Sequence, residues 1–266
     1  DPARRTLGLA QDLLKQLELE FAKKGARWQS LYLDSGTSLM PAAAAADRVS
    51  RLSSKYGLKF ADHFVLHCWP LVERRQETLS YELKEVADGK VPEVLSRELS
   101  GHDLVPLDWT DLTSRPNHQG VLVARRMGTG LEGEILAGTS VWDCSGLEDA
   151  DDAYRELPAG VRILRTVADC FCLGHKHGVR MRMLYGLFAH GPEGAIALRS
   201  LVDFVHNVSI GEGYDIMYCP LQADDPCRVA LPSWDRLAMR FDCLVGKITN
   251  DPPATLGPLF CDPRDF

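Results

Sequence analysis

Seven residues at the head of the chain, Arg4-Arg5-Thr6-Leu7-Gly8-Leu9-Ala10, combine types that can hold a phosphate: two guanidinium groups, two small residues and a helical pattern that starts at once. In the form Arg-x-x-Gly-x-Ala at the mouth of a helix they read as a cradle for a pyrophosphate. The first amides of a helix have no intrahelical acceptor, and the aligned peptide dipoles place about half a positive charge there, so an anion is stabilised. Gly8 and Ala10 keep side chains away from the backbone, while Arg4 and Arg5 can fork onto phosphate oxygens. The plain alternative for Arg4 and Arg5 is a solvated helix entrance.

Other residues carry chemistry more sparsely. His63 and His67 lie four apart on an apolar run that reads as a strand, hence on one face, and could reach a substrate or serve as half-buried spacers. The cluster Cys170, Cys172, His175 and His177 holds four metal-ligand types, but its short spacings do not match structural zinc patterns, so no metal is expected. A second glycine loop, His190-Gly191-Pro192-Glu193-Gly194-Ala195, opens another helical pattern. It has no arginine and places Glu193 where an anion would sit, which marks it as a degenerate, structural copy. Glu193 and Tyr185 are the acid–base suggestions in that half. The sequence singles out no catalytic residue.

The elements that would position these groups follow from periodicity. Ala10, Leu13, Leu14, Leu17 and Phe21 make one apolar face of a helix from Leu9 to Lys24, closed by Gly25. A strand is expected over 27–34, a helix over 42–54 and a strand over 60–71. The stretch 73–100 reads as helical in two pieces broken at Gly89 and Pro92. A short helix or turn follows at 108–113, then paired strands at 120–125 and 133–144, and an amphipathic helix over 161–173. Beyond these come a strand at 181–190, a helix ending near Gly211, a strand at 214–221, a short helix at Pro232-Ser233-Trp234 and a last strand at 241–248. Gly8 to Gly25 and Gly194 to Gly211 share one spacing of 17 positions. A glycine loop, helix, strand, helix and strand occurring twice points to two copies of one α/β unit.

Composition bounds the function. The 266 residues are long enough for one large or two ordinary domains, and 45% hydrophobic with 25% charged residues is a globular balance. A net charge of −7 argues against direct nucleic-acid binding, which depends on neutralising phosphates. No apolar run reaches the roughly 20 residues of a membrane span. Eight scattered cysteines without a Cys-x-x-Cys pair fit a reducing compartment, so an intracellular place, nucleus or cytoplasm, is expected.

The Arg-x-x-Gly-x-Ala helix followed by strand, helix and strand resembles the GNAT superfamily of acetyl-CoA-dependent N-acetyltransferases. Ser140-Val-Trp142-Asp-Cys144, Leu184-Tyr-Gly186-Leu, Gly191-Pro192, Ser200-Leu201 with His206-Asn207, Pro232-Ser-Trp234 and Asp262-Pro-Arg264-Asp-Phe266, in that order, resemble the plant hookless family of N-acetyltransferases. The resemblance implies an α/β (α+β) fold of two GNAT-like units, each a mixed sheet flanked by helices. Residues 1–75 would be the later half of a first domain, incomplete at its N-terminus, and residues 76–266 a second, divergent one. It implies acetyl-CoA as co-substrate, with Arg4, Arg5, Thr6, Leu7, Gly8, Leu9 and Ala10 on its pyrophosphate, and a protein lysine, an N-terminus or another primary amine as acceptor, histones included. The chain begins at the loop, so the strands that precede it in such domains are absent from this sequence. The expected 42–54 helix lacks the asparagine often found near its start and has Leu52 where relatives carry an aromatic residue or a tyrosine. Tyr56 stands four residues on. A non-catalytic GNAT-like regulatory or protein-binding module is therefore the alternative.

Overall fold

A computed structural model describes residues 9–23, 28–34, 50–51, 54, 57–77, 80–101, 114–127, 134–145, 180–232 and 237–247. Among the described residues the helices include α1 (Leu9–Lys23), α2 (Val91–Glu98) and α3 (Gly191–Gly211). The strands among them are β1 (Trp28–Asp34), β2 (Lys59–Pro70), β3 (Tyr81–Glu85), β4 (His118–Arg126), β5 (Ile135–Asp143), β6 (Met181–Ala189), β7 (Ile216–Gln222) and β8 (Leu237–Lys247). The chain divides into two compact units, Asp1–His63 with Arg240–Gly257, and Phe64–Met239 with Pro258–Phe266.

In the first unit α1 runs over 15 residues and β1 follows, paired antiparallel with β8 from Trp28↔Lys247 to Asp34↔Phe241. Two residues of the expected apolar face of α1 are not buried. Leu13 and Leu17 are 62% and 40% exposed. Helical periodicity sets which residues share a face, but burial needs a partner, and none of the described elements covers these two. Ser50, Arg51 and Ser54 are helical, within the helix expected over 42–54.

The second unit has the strand order β2-β7-β6-β5-β4-β3, with β2 taking part from Phe64 onward. All neighbours for which register is defined are antiparallel except β6 and β7, which are parallel and joined by α3. A parallel pair needs such a crossover. The helix buries Ala197, Leu198, Leu201, Val202 and Val205, spaced three and four apart, against Leu184, Leu187, Met217 and Leu221 of the strands. Each buried leucine or valine stabilises by about 1.5–3 kcal/mol.

The stretch 73–100 differs from its expected two helices. Tyr81–Glu85 is a strand paired with β4, and a short 3-10 turn, Asp88–Lys90, leads into α2. Period two wins because Tyr81 and Leu83 pack on the core while Glu82 and Lys84 pair with each other at 2.6 Å. Pro92 does not break a helix. It sits in the first turn of α2, where its missing N–H costs nothing. Between β7 and β8, Pro226–Ala230 forms a 3-10 turn capped by the Asp225 carboxylate on the Cys227 amide at 2.7 Å. The expected elements at 108–113 and 161–173, and Ser233 and Trp234, lie outside the described residues.

Candidate functional site

Of the proposed cradle, Arg4, Arg5, Thr6, Leu7 and Gly8 lie outside the described residues, and Leu9 and Ala10 are the first residues of α1. Cys170, Cys172, His175, His177, Leu52 and Tyr56 also lie outside them. Among the described residues no group of three or more His, Cys, Asp or Glu is gathered to hold a metal. No helix among them is long and apolar enough to cross a membrane.

The second glycine loop is fully described. Gly191 turns the chain at φ 64°, and α3 starts there rather than at Gly194, so that α3 has 21 residues against 15 in α1. Gly194 is required by packing: a Cβ there would stand 2.7 Å from the Leu136 carbonyl oxygen and 3.0 Å from the Ala189 carbonyl carbon. Arg126 of β4 donates to both carboxylate oxygens of Glu193 and is pushed up by that hydrogen bond and charge. His190 meets the Glu98 carboxylate at 2.6 Å. The helix entrance thus already carries a glutamate in its first turn, engaged by its own arginine. A diphosphate at this entrance would meet the Glu193 carboxylate, which Arg126 already engages.

Beside α3 the strands behave differently from an ordinary parallel pair. β6 and β7 are in register only over Met181–Met183 against Ile216–Tyr218, and beyond these they part. Leu184, Leu187, Cys219 and Leu221, on the parting segments, belong to one buried cluster with Cys227, Ala230 and Leu231. Tyr185, an acid–base suggestion of the sequence, is almost wholly buried, and its carbonyl accepts from Thr139 Oγ1 at 3.2 Å.

Four of the residues that carried the hookless resemblance, Ser140, Trp142, His206 and Asn207, act as fasteners in this unit. Trp142 Nε1 donates to Ser140 Oγ at 2.8 Å, and the same hydroxyl meets His118 Nε2 at 3.0 Å. Asn207 accepts from the Arg75 amide at 2.7 Å and donates to the Arg75 carbonyl at 2.9 Å and to Glu77 at 2.8 Å. His206 lies between Trp69 Nε1 at 3.3 Å and the Glu73 carbonyl at 2.8 Å. Together they tie residues 73–77 onto α3.

The two histidines of β2 have different surroundings. His67 is buried. His63 is 31% exposed at its side chain and its Nδ1 lies 2.6 Å from Oδ1 of Asp242 on β8, whose side chain is 11% exposed. Nothing in the sequence announced Asp242, which stands 179 positions away.

No protein-family model matches the chain. It is similar to a GCN5-related N-acetyltransferase from Sphaerobacter thermophilus, with a TM-score of 0.56 at 13% identity over 96% of this chain and 73% of that one. A GCN5-related N-acetyltransferase from Anabaena variabilis gives 0.54 at 13% identity, over 93% of this chain and 53% of the other. The chain has the GNAT fold. Saccharomyces cerevisiae N-myristoyltransferase shares it too, with a TM-score of 0.51 at 10% identity over 91% of this chain and 57% of that one.

By sequence the chain is similar to plant proteins named as acetyltransferases. It is 33% identical over 96 residues to acetyl transferase GW6a of Oryza sativa subsp. japonica, covering 32% of this chain and 23% of that protein. It is 27% identical over 160 residues to the probable N-acetyltransferase HLS1 of Arabidopsis thaliana, covering 50% of this chain and 38% of that protein. The chain spans less than half the length of these relatives. The hookless resemblance read from the motifs agrees with the Arabidopsis name, and the acetyltransferase reading with both.

Proposed function

We propose that this protein is an acetyl-CoA-dependent N-acetyltransferase whose acceptor is a primary amine on a protein, a lysine side chain or an N-terminus, histones included. One observation carries the reading: α1 opens at Leu9, directly after Arg4-Arg5-Thr6-Leu7-Gly8, so its first amides follow two cations and a glycine. The names of the plant relatives and the GNAT fold support it. Residues 1–75 would carry the cradle, and residues 76–266 would be the divergent second copy. Arg4, Arg5 and the amides from Thr6 to Ala10 would hold the diphosphate, and the thioester supplies an activated acyl group. The amine nitrogen must lose a proton and bond to the acyl carbon, the carbon–sulfur bond breaks, and its electron pair leaves with the thiolate. Backbone N–H groups are suited to the oxyanion formed on the way.

A non-catalytic GNAT-like module for protein contacts is the second reading. The Glu193–Arg126 pair favours it, because it shows the chain keeping a helix entrance without an anion cradle. Mass spectrometry of lysine-containing and free-N-terminus peptides incubated with acetyl-CoA separates the two. Acetylated peptide, lost in Arg5→Glu, supports the enzyme. No product with any peptide and no acetyl-CoA binding supports the module.

A further inference from the structure

We propose that His63, oriented by Asp242, is the group that takes the proton from the acceptor amine; this rests on the N-acyl transfer proposed above. The two side chains come from strands far apart in sequence and meet at 2.6 Å through Nδ1 and Oδ1. Asp242 is nearly buried while His63 keeps about a third of its side chain accessible, so the carboxylate anchors the ring and the opposite nitrogen is the one that can meet a substrate. Among the described residues nothing is bonded to His63 Nε2. The Phe60 ring lies 4.7 Å from the imidazole and is itself 49% exposed, an apolar wall beside the ring. A carboxylate on Nδ1 fixes the tautomer with the proton on Nδ1 and the lone pair on Nε2, the form a base requires.

Both residues belong to the first unit. Asp242 pairs in register with Leu33, the last residue but one of β1. The other charged groups that bear on the imidazole are Asp62, whose carboxylate accepts from the His63 amide at 2.6 Å, and Lys59 and Arg240, which share its face by strand alternation. None of these is held against the ring as Asp242 is. In the reaction the amine nitrogen bonds to the acyl carbon, its proton passes to His63 Nε2, and the carbon–sulfur electron pair leaves on the thiolate.

The test uses the full chain with acetyl-CoA, a peptide found to be acetylated, and the variants His63→Gln and Asp242→Asn. Expected are a kcat about 100-fold lower for His63→Gln, within the usual range for losing a general base, an unchanged dissociation constant for acetyl-CoA by calorimetry, and loss of the acid limb of the kcat/KM profile. Asp242→Asn, a change at a positioning residue, should keep acetyl-CoA binding and shift that limb. Nitrogen NMR of the ring gives a readout without substrate: Nδ1–H in the parent chain and a mixture of tautomers in Asp242→Asn. Wild-type rates and an unaltered pH profile in His63→Gln, beside an active parent, overturn this inference alone. A parent chain that neither binds acetyl-CoA nor acetylates any peptide overturns the proposed function and this role with it.

Discussion

At the residue scale two neighbouring glycines of one loop do different work. Gly191 has open space around it and a φ of 64°, so Gly191→Ala carries only the conformational cost, about 1–2 kcal/mol. Gly194→Ala drives a methyl into the backbone of Leu136 and Ala189 and should cost about 1–3 kcal/mol by forcing the helix off the sheet. Urea midpoints of the two variants measure this, and α3 alone should show slackened hydrogen exchange protection in Gly194→Ala. Asp143 makes a pH-dependent contribution. Burial pushes its carboxyl up, but the Ser145 hydroxyl and amide and the Tyr214 hydroxyl outweigh that and hold it below the usual carboxylate range. A depressed folded value means the stabilisation is present above the unfolded value of about 4 and is lost as pH falls through the folded one. Asp143→Asn should therefore lower the urea midpoint at pH 7, by about 1–3 kcal/mol in stability, with the gap to the parent chain closing toward pH 2.

Elements were legible where one period dominates. The run from Leu9, the alternation around Val121 and Val141, and the Leu198-Leu201-Val202-Val205 stripe gave α1, β4, β5 and α3 with ends within a few residues. Tyr81–Glu85 was not legible, since Glu82, Lys84 and Glu85 look helical in isolation and only pairing with β4 makes them a strand. Nor could exposure of Leu13 and Leu17 be read, because a helical face says nothing about its partner. In the candidate site His63 stood out but Asp242 did not, as no local spacing links residues on separate strands. The motif residues His206 and Asn207 were recognised as a pattern, while their work, fastening 73–77 to α3, needed coordinates. Asn207→Ala leaves the Arg75 amide and carbonyl without that side chain and should destabilise by about 1–3 kcal/mol, with faster hydrogen exchange at the Arg75 amide as the direct reading.

For the whole molecule, the described cysteines bear on handling and on redox chemistry. Cys68, Cys144, Cys219, Cys227 and Cys243 are buried, and burial pushes the first four thiols up. Little thiolate is present at neutral pH, so mass mapping after a thiol reagent should find these five unmodified in the native protein and modified in urea. The central claim concerns the first helix entrance, and the contrast with the second sharpens it: Glu193 held by Arg126 at α3, Arg4 and Arg5 before α1. Calorimetry of the chain with acetyl-CoA, beside Arg5→Glu and Glu193→Gln, tests it most directly. Saturable binding that weakens about 10–100-fold in Arg5→Glu, as expected for losing charge-assisted hydrogen bonds, and is unchanged in Glu193→Gln is the predicted result. Absence of binding in the parent chain, or binding indifferent to Arg5→Glu, would contradict it.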